Sequence, residues 1–393
     1  MKKVFAMMMA ALMAVTMFAA CGNSGSDTTG SAGDANTIKI GLTGPLTGSN
    51  AVYGQAVKWG MEVAVEEINA AAGEDGLKIE FMAEDDVSDG EIAGNAYNRL
   101  KDWGMQIFAG AVTTGPCNTI APEAVADKIF MMTPSGSGES IVMGNENVYQ
   151  MCFTDPNQGA ASAQLIKAQN LGTKIGVIYD SSTDYSSGIW KSFKSEAEKL
   201  GLNIVEEAVT SFTADSASEM KTQLTKCKEA GCDLVFLPIY ATEASVVLNN
   251  ADSMDYHPTF LGCDGMDGIL TVDGFKTELA EGLIMMTPFA ADADDAATQS
   301  FVAKFKEKSG VEIPNQFAAD GYDVIYAIYQ GCVEKGINGE TSRADACAKL
   351  CEYFQSATYS GLTGTNMTWD ENGMVSKVPT AVVVKDGAYV SMS

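Results

Sequence analysis

From Thr37 onward the chain repeats one unit: a short apolar strand, a polar loop, then a helix. The first unit reads TIKIGLTGPLTGSNAVYGQAVKWGMEVAVEEINAAAG. Ile38, Ile40 and Leu42 alternate with Lys39 and Gly41, a strand pattern. A loop of Gly, Pro and hydroxyl residues runs from Thr43 to Asn50. Val57, Met61, Ala64, Val65 and Ile68 then recur at helical spacing, and Gly73 stands where that helix would stop. Further strands are expected at Leu77–Met82, Gln106–Val112, Ile129–Met132 and Val148–Phe153. Helices are expected at Asp89–Trp103, Pro116–Lys128 and Asn157–Asn170.

A second series begins at Lys174–Tyr179. It continues through helices at Trp190–Leu200, Ser216–Ala230 and Glu243–Met254. Its other strands are Ile204–Val209, Leu234–Ile239, Thr259–Gly262 and Leu283–Thr287. Three helical stretches follow, 295–310, 315–335 and 343–357, and two strands, Met367–Trp369 and Pro379–Val384, end the chain. Alternating strands and helices imply parallel sheets covered on both faces, and two series imply two lobes. The series echo each other. Ile40-Gly41-Leu42 leads to Tyr53-Gly54, and Ile175-Gly176-Val177 leads to Tyr185 and Gly188. In open α/β sheets the loops after the strands face the ligand crevice.

At 393 residues the chain is long for one domain, which also favours two. Lys2 and Lys3 precede an apolar run from Val4 to Ala20, the pattern of a secretory signal and short for a spanning helix. Phe18-Ala19-Ala20-Cys21 resembles a bacterial lipobox, with Phe18 in place of the usual Leu. Residues 1–20 are therefore expected to be cleaved and Cys21 to be lipidated. Residues 22–36 form a Gly/Ser/Asp/Thr tether, so that the domains start after 36. The formal charge is -26, and losing Lys2 and Lys3 makes it -28. So acidic a chain excludes nucleic acid as a partner.

Eight cysteines remain: 117, 152, 227, 232, 263, 332, 347 and 351. They form no CxxC pair and the chain has one histidine, so no zinc site and no metal is expected. Most are expected to be small buried residues. Cys347 and Cys351, four apart on a helix, are poorly placed to bridge each other. One or two disulfides remain open on spacing alone.

Enzyme chemistry finds little to work with. His257 precedes Pro258 outside any nucleophile pattern, and there is no GxSxG elbow, Walker loop or GxGxxG fingerprint. Glu84-Asp85-Asp86 and Asp292-Ala293-Asp294-Asp295 lack calcium-loop spacing and read as solvated or helix-start carboxylates. No cofactor is expected. Binding loops are clearer. Thr113-Thr114-Gly115 and Ser135-Gly136-Ser137 each follow a strand, where hydroxyls and free N–H groups can hold an anion.

Taken together, IKIGLTGPLTG, Tyr53-Gly54-Gln55, Glu84-Asp85-Asp86, GAVTTG at 110–115, Met132-Thr133-Pro134-Ser135, Phe153-Thr154-Asp155-Pro156 and Tyr179-Asp180 leading to Asp184-Tyr185 resemble the branched-chain amino acid type of ABC-transporter substrate-binding protein. The resemblance spans Thr37 to the C-terminus. It implies the type I periplasmic-binding-protein fold, two Rossmann-like α/β lobes joined by three crossovers. The lobes would be 37–156 plus 287–365 and 157–286 plus 366–393, with crossovers near 154–156, Pro288 and 361–365. It also implies a non-enzymatic receptor on the outer face of the cytoplasmic membrane. That receptor would be lipid-anchored and monomeric, delivering a branched-chain or similar aliphatic amino acid to an ABC permease; the alternatives are the same fold binding another small solute (an amide, a urea-like compound or an aromatic acid) or serving as a ligand-sensing receptor domain.

By the same resemblance, Thr114, beside Thr113, holds the ligand carboxylate. Gly136, beside Ser135, offers a carbonyl to the ammonium, and Ser137 contacts the ligand head. Tyr53, Tyr185 and Tyr240 wall the cleft. Asp264 pairs with the ammonium, with Asp267 as its rival, and Phe317, Asp320 and Glu243 lie at the rim. Enclosing a zwitterion strips both charges of water, so the site must supply donors for one and a carboxylate for the other.

Overall fold

The computed structural model describes residues 34–392; the signal segment, Cys21 and most of the tether lie outside the described residues. The first unit forms as its pattern requires, with β1 (Thr37–Gly44) followed by α1 (Ala51–Ala72). Then come β2 (Lys78–Asp85), α2 (Gly90–Trp103), β3 (Ile107–Phe108), α3 (Thr114–Asp127), β4 (Met131–Thr133) and β5 (Val148–Gln150). These strands form one parallel sheet in the order β2-β1-β3-β4-β5.

The chain then crosses into α4 (Asp155–Gln169), whose N-cap Thr154 accepts the Asn157 N–H. The second series follows as β6 (Ile175–Asp180), α5 (Asp184–Leu200), β7 (Ile204–Phe212), α6 (Lys221–Glu229), β8 (Leu234–Leu237), α7 (Ala241–Ser253), β9 (Thr259–Gly262) and β10 (Ile284–Thr287). Its parallel core has the order β7-β6-β8-β9-β10, the first sheet's order repeated. The local echo around Tyr53 and Tyr185 is therefore an echo of whole lobes.

After β10 the chain returns to the first lobe. α8 (Ala296–Ser309) and α9 (Gln316–Lys335) pack on α1, and α10 (Arg343–Phe354) packs on α9. The close approach of α9 to α1 depends on glycine, since a Cβ at Gly60 would stand 1.9 Å from the Ala318 carbonyl oxygen. The stretch 361–365, read from the sequence as the third crossover, is instead the tip of a hairpin. Its strands are β11 (Tyr359–Gly361) and β12 (Gly364–Met367). Asp323 of α9 holds the tip by accepting the Leu362 and Thr363 N–H groups. The next residues stay on the first lobe, where the Trp369 indole donates to the Gln150 carbonyl and stacks edge-on against Phe354.

The third pass comes later, about 376–379. Lys377 is buried there against Asp320, 2.7 Å away, and also bonds Thr363. The chain ends in β13 (Thr380–Lys385), antiparallel to β10, and β14 (Ala388–Ser391), antiparallel to β13. The sequence reading found one of these two strands and missed the hairpin, whose residues are mostly polar.

Two further readings change. Asp86 is fully buried rather than solvated, and burial pushes its carboxyl up to about 7. Asp85 ties down the first loop by accepting from Leu46 and Thr47. Asp295 does start a helix, capping α8 through the Thr298 N–H. Seven of the eight described cysteines are buried, Cys351 is partly exposed, and all eight are free thiols.

Candidate ligand-binding cleft

A small, tightly closed cavity lies between the lobes, lined by Tyr53, Val112, Thr113, Thr114, Ser135, Tyr185, Tyr240, Asp264, Gly265 and Phe317. All but Phe317 sit on, or shortly beyond, the C-terminal ends of strands β1, β3, β4, β6, β8 and β9. Those are the edges where open α/β sheets bind ligands.

One wall is a helix N-terminus. Thr113 is the N-cap of α3 and makes no side-chain cap bond; its hydroxyl points instead to Ser88. The first N–H groups of a helix lack intrahelical acceptors, and the helix dipole favours an anion beside them. Thr114, first residue of α3, adds its hydroxyl to that wall.

The opposite wall is acidic and aromatic. Asp264, two residues beyond β9, is buried, and its Oδ1 accepts the Tyr185 hydroxyl at 2.7 Å. Its backbone N–H donates to Gln158. Burial pushes the carboxyl up to about 6, with the hydrogen bonds from Tyr185 and Gln158 opposing that shift. Tyr185 and Tyr240 stack in parallel with centroids 4.7 Å apart. Tyr53 is tilted against Tyr240 and edge-on to Phe317.

Tyr53 does more than line the wall. Its hydroxyl accepts the Ala241 N–H, the first of α7, and donates to the Gly265 carbonyl. A first-lobe side chain thus caps a second-lobe helix. The reverse contact also exists, for Asp267 Oδ2 accepts the Gln316 N–H, the first of α9, at 2.8 Å. Each lobe caps a helix of the other, so closure satisfies N–H donors that opening would return to water.

The structure gathers Tyr53, Thr113, Thr114, Ser135, Tyr185, Tyr240, Asp264 and Phe317 at one cavity. It leaves Gly136, Ser137 and Asp267 out of its lining. The Gly136 carbonyl accepts from Gln150 Nε2 at 2.7 Å. The Ser137 carbonyl accepts the Asp155 N–H at 2.8 Å, at the start of α4. Asp267 is committed to the α9 terminus, and Asp320 to Lys377. Glu243 lies in the first turn of α7, also outside the lining. Val112 and Gly265 were missed, although each directly adjoins a residue chosen from the sequence. Gln158 and Gln316 carry no sequence signal of this role. Among the described residues no cluster of three or more His, Cys, Asp or Glu is placed to hold a metal.

The sequence profile of a family described as periplasmic binding protein matches residues 37–388. The chain belongs to the periplasmic binding protein family. A Pseudomonas aeruginosa relative, the leucine-, isoleucine-, valine-, threonine- and alanine-binding protein, is 27% identical over 86% of this chain and 87% of its own. Among solved structures, a leucine-binding protein LivK from Thermotoga maritima is 26% identical, with a TM-score of 0.79 over 91% of this chain and 98% of that one. The LivJ substrate-binding protein from Streptococcus pneumoniae, solved with isoleucine, is 25% identical, with a TM-score of 0.80 over 90% and 98%. An R. palustris solute-binding protein solved with benzoate shares the fold at 20% identity, with a TM-score of 0.78 over 91% and 96%. This is the type I fold, and the chain is a periplasmic binding protein of the LivJ/LivK type, a family of substrate-binding proteins rather than enzymes.

Proposed function

We propose that this periplasmic binding protein captures an aliphatic amino acid, branched-chain or similar, in the interlobe cavity and delivers it to an ABC permease. The observation that carries the reading is the charge layout of the cavity. Asp264 and the side-chain-uncapped N-terminus of α3, at Thr113 and Thr114, line one cavity, and no lining residue is cationic. A zwitterion matches both ends: carboxylate to the α3 N–H groups and the Thr114 hydroxyl, ammonium to Asp264. A simple carboxylic acid would place a second anion beside a buried carboxylate with nothing to neutralise either, a costly arrangement. The aromatic walls fit an apolar side chain, and the bound leucine-type solutes of the relatives agree with this.

Closure follows from the same layout. Only the closed form makes contacts from both lobes, so the ligand stabilises that form by its differential affinity. We assign the first lobe to residues 37 to about 153 plus about 290–375. The second comprises about 154–287 plus 380–392. The lipobox reading places the mature protein on the outer face of the cytoplasmic membrane, held through Cys21 and acting as a monomer beside the permease.

The four rings at the cavity favour a second reading, an aromatic acid. A thermal-shift screen of the twenty amino acids with benzoate and 4-hydroxybenzoate separates the two. A ligand at 100 times its Kd adds about 2.7 kcal/mol to stability. Stabilisation by leucine, isoleucine or valine and none by the benzoates is expected; the reverse pattern overturns the amino-acid reading.

A further inference from the structure

We propose that Cys227 and Cys232 are a disulfide-forming pair that staples the end of α6 to the start of β8. Cys227 lies in the last turn of α6, and Cys232 follows Gly231, two residues before β8. The Cys232 N–H donates to the Cys227 carbonyl at 3.0 Å, closing the turn. Two residues joined by such a bond hold their Cα atoms about 5–6 Å apart, the separation disulfides use. Gly231 supplies the positive φ, 69°, that reverses the chain between them.

The sulfurs converge on one spot. A Cβ at Gly176, on neighbouring β6, would stand 2.8 Å from the Cys227 Sγ and 3.3 Å from the Cys232 Sγ. The glycine leaves the room that the two sulfurs share. The Cys227 thiol donates to the Ala208 carbonyl at 3.7 Å. Cys347 and Cys351 make a useful contrast. Four residues apart on regular α10, their side chains are poorly directed for a bridge, and the Cys351 thiol donates instead to the Glu146 carbonyl.

The chemistry balances with a disulfide oxidant such as oxidised glutathione. One Cys thiolate attacks the oxidant's sulfur and releases one glutathione thiol. The second Cys then attacks the mixed disulfide, forming the 227–232 bond and releasing another. Two protein thiols lose two electrons and two protons; one glutathione disulfide becomes two thiols. Burial raises both thiols above their ordinary range, most of all Cys227, pushed to about 12. Attack therefore proceeds while the last turn of α6 is open, during folding or local fraying.

The test is to refold the full chain with oxidised glutathione, alkylate the denatured protein without reduction, and map it by mass spectrometry. The expected result is a 227–232 crosslink, 2 Da lighter than the dithiol and reversed by dithiothreitol, with Cys117, Cys152, Cys263 and Cys332 alkylated. The bridged form should melt higher than its reduced form, and Cys227→Ser and Cys232→Ser should each abolish that difference. Leucine affinity should be unchanged, because the pair lies outside the cavity. Alkylation of both thiols after oxidative refolding, a stable glutathione adduct on either, or a crosslink to another cysteine would each overturn the assignment. Expression of the serine variants as unfolded protein does not protect it, since the mapping uses the natural chain.

Discussion

Replacing Asp264 by Asn keeps the shape of the cavity and removes its charge. The side chain is buried and fixed by Tyr185 at 2.7 Å, so no water can easily take its place beside an ammonium. Removing one partner of a buried, hydrogen-bonded charge pair costs about 2–5 kcal/mol of binding. At 1.4 kcal/mol per tenfold, leucine should bind roughly 30- to 4,000-fold more weakly. The pH dependence gives an independent check. Only ionised Asp264 pairs with the ammonium, and with its carboxyl at about 6 the natural protein should lose about tenfold in affinity between pH 7 and pH 5. The Asn variant should be flat over that window. Stability of the ligand-free protein moves the other way. The folded state favours the protonated acid, so its penalty is full above about 6 and is relieved as pH falls through that value towards the ordinary carboxylate range. Titration calorimetry at both pH values measures affinity, and urea unfolding measures stability. Leucine affinity within threefold of the natural protein in the Asn variant, or an unchanged pH slope, would refute the pairing of Asp264 with the ammonium.

Tyr53→Phe removes the hydroxyl that links α1 to Ala241 and Gly265; leaving the buried Ala241 N–H without an acceptor costs about 1–3 kcal/mol. The closed form should weaken, seen as a larger ligand-saturated radius in small-angle scattering and a higher Kd. Asp267→Ala should raise the Kd of every bound amino acid by a similar factor, because it unties the α9 terminus without touching the ligand; a change of ligand preference would contradict its assignment to closure. Lys377→Met leaves Asp320 buried without its cation and should cost about 3–5 kcal/mol, read from the midpoint of guanidinium unfolding. Asp320→Leu in the same background should recover part of that loss.

The sequence was most readable where local pattern and tertiary need agree. The strands β1, β6, β8 and β9 are short apolar runs bounded by turn residues, and each was located to within a few residues. The hairpin at Tyr359–Met367 was not, because Ser360, Gly361, Thr363 and Gly364 show no apolar alternation and the tip is held at Leu362 and Thr363 by Asp323 from α9. That tether is invisible in one dimension, and the third crossover was misplaced as a result. The site divides the same way. Thr114, Tyr185 and Asp264 lie in the loops or first helical turns that follow strands β3, β6 and β9, where topology directs them to the crevice. The carbonyl of Gly136 and the carboxylate of Asp267 lie on equally promising loops but are taken by Gln150 and Gln316. Those partners come from other segments, and loop position cannot reveal them. Asp86 failed for a similar reason: an acidic triplet reads as solvated unless its neighbours in space are known.

Because α1 completes its packing only when α9 arrives, and β10 gains its outer neighbour only from β13, neither lobe can finish folding early in synthesis. Residues near 60 wait for residues near 320, and residues near 285 for residues near 382. Contacts so distant along the chain slow folding, since the loop must close before the contact rewards it. The export we propose from the N-terminal segment would need an extended, unfolded chain, and late-arriving C-terminal strands would suit that route.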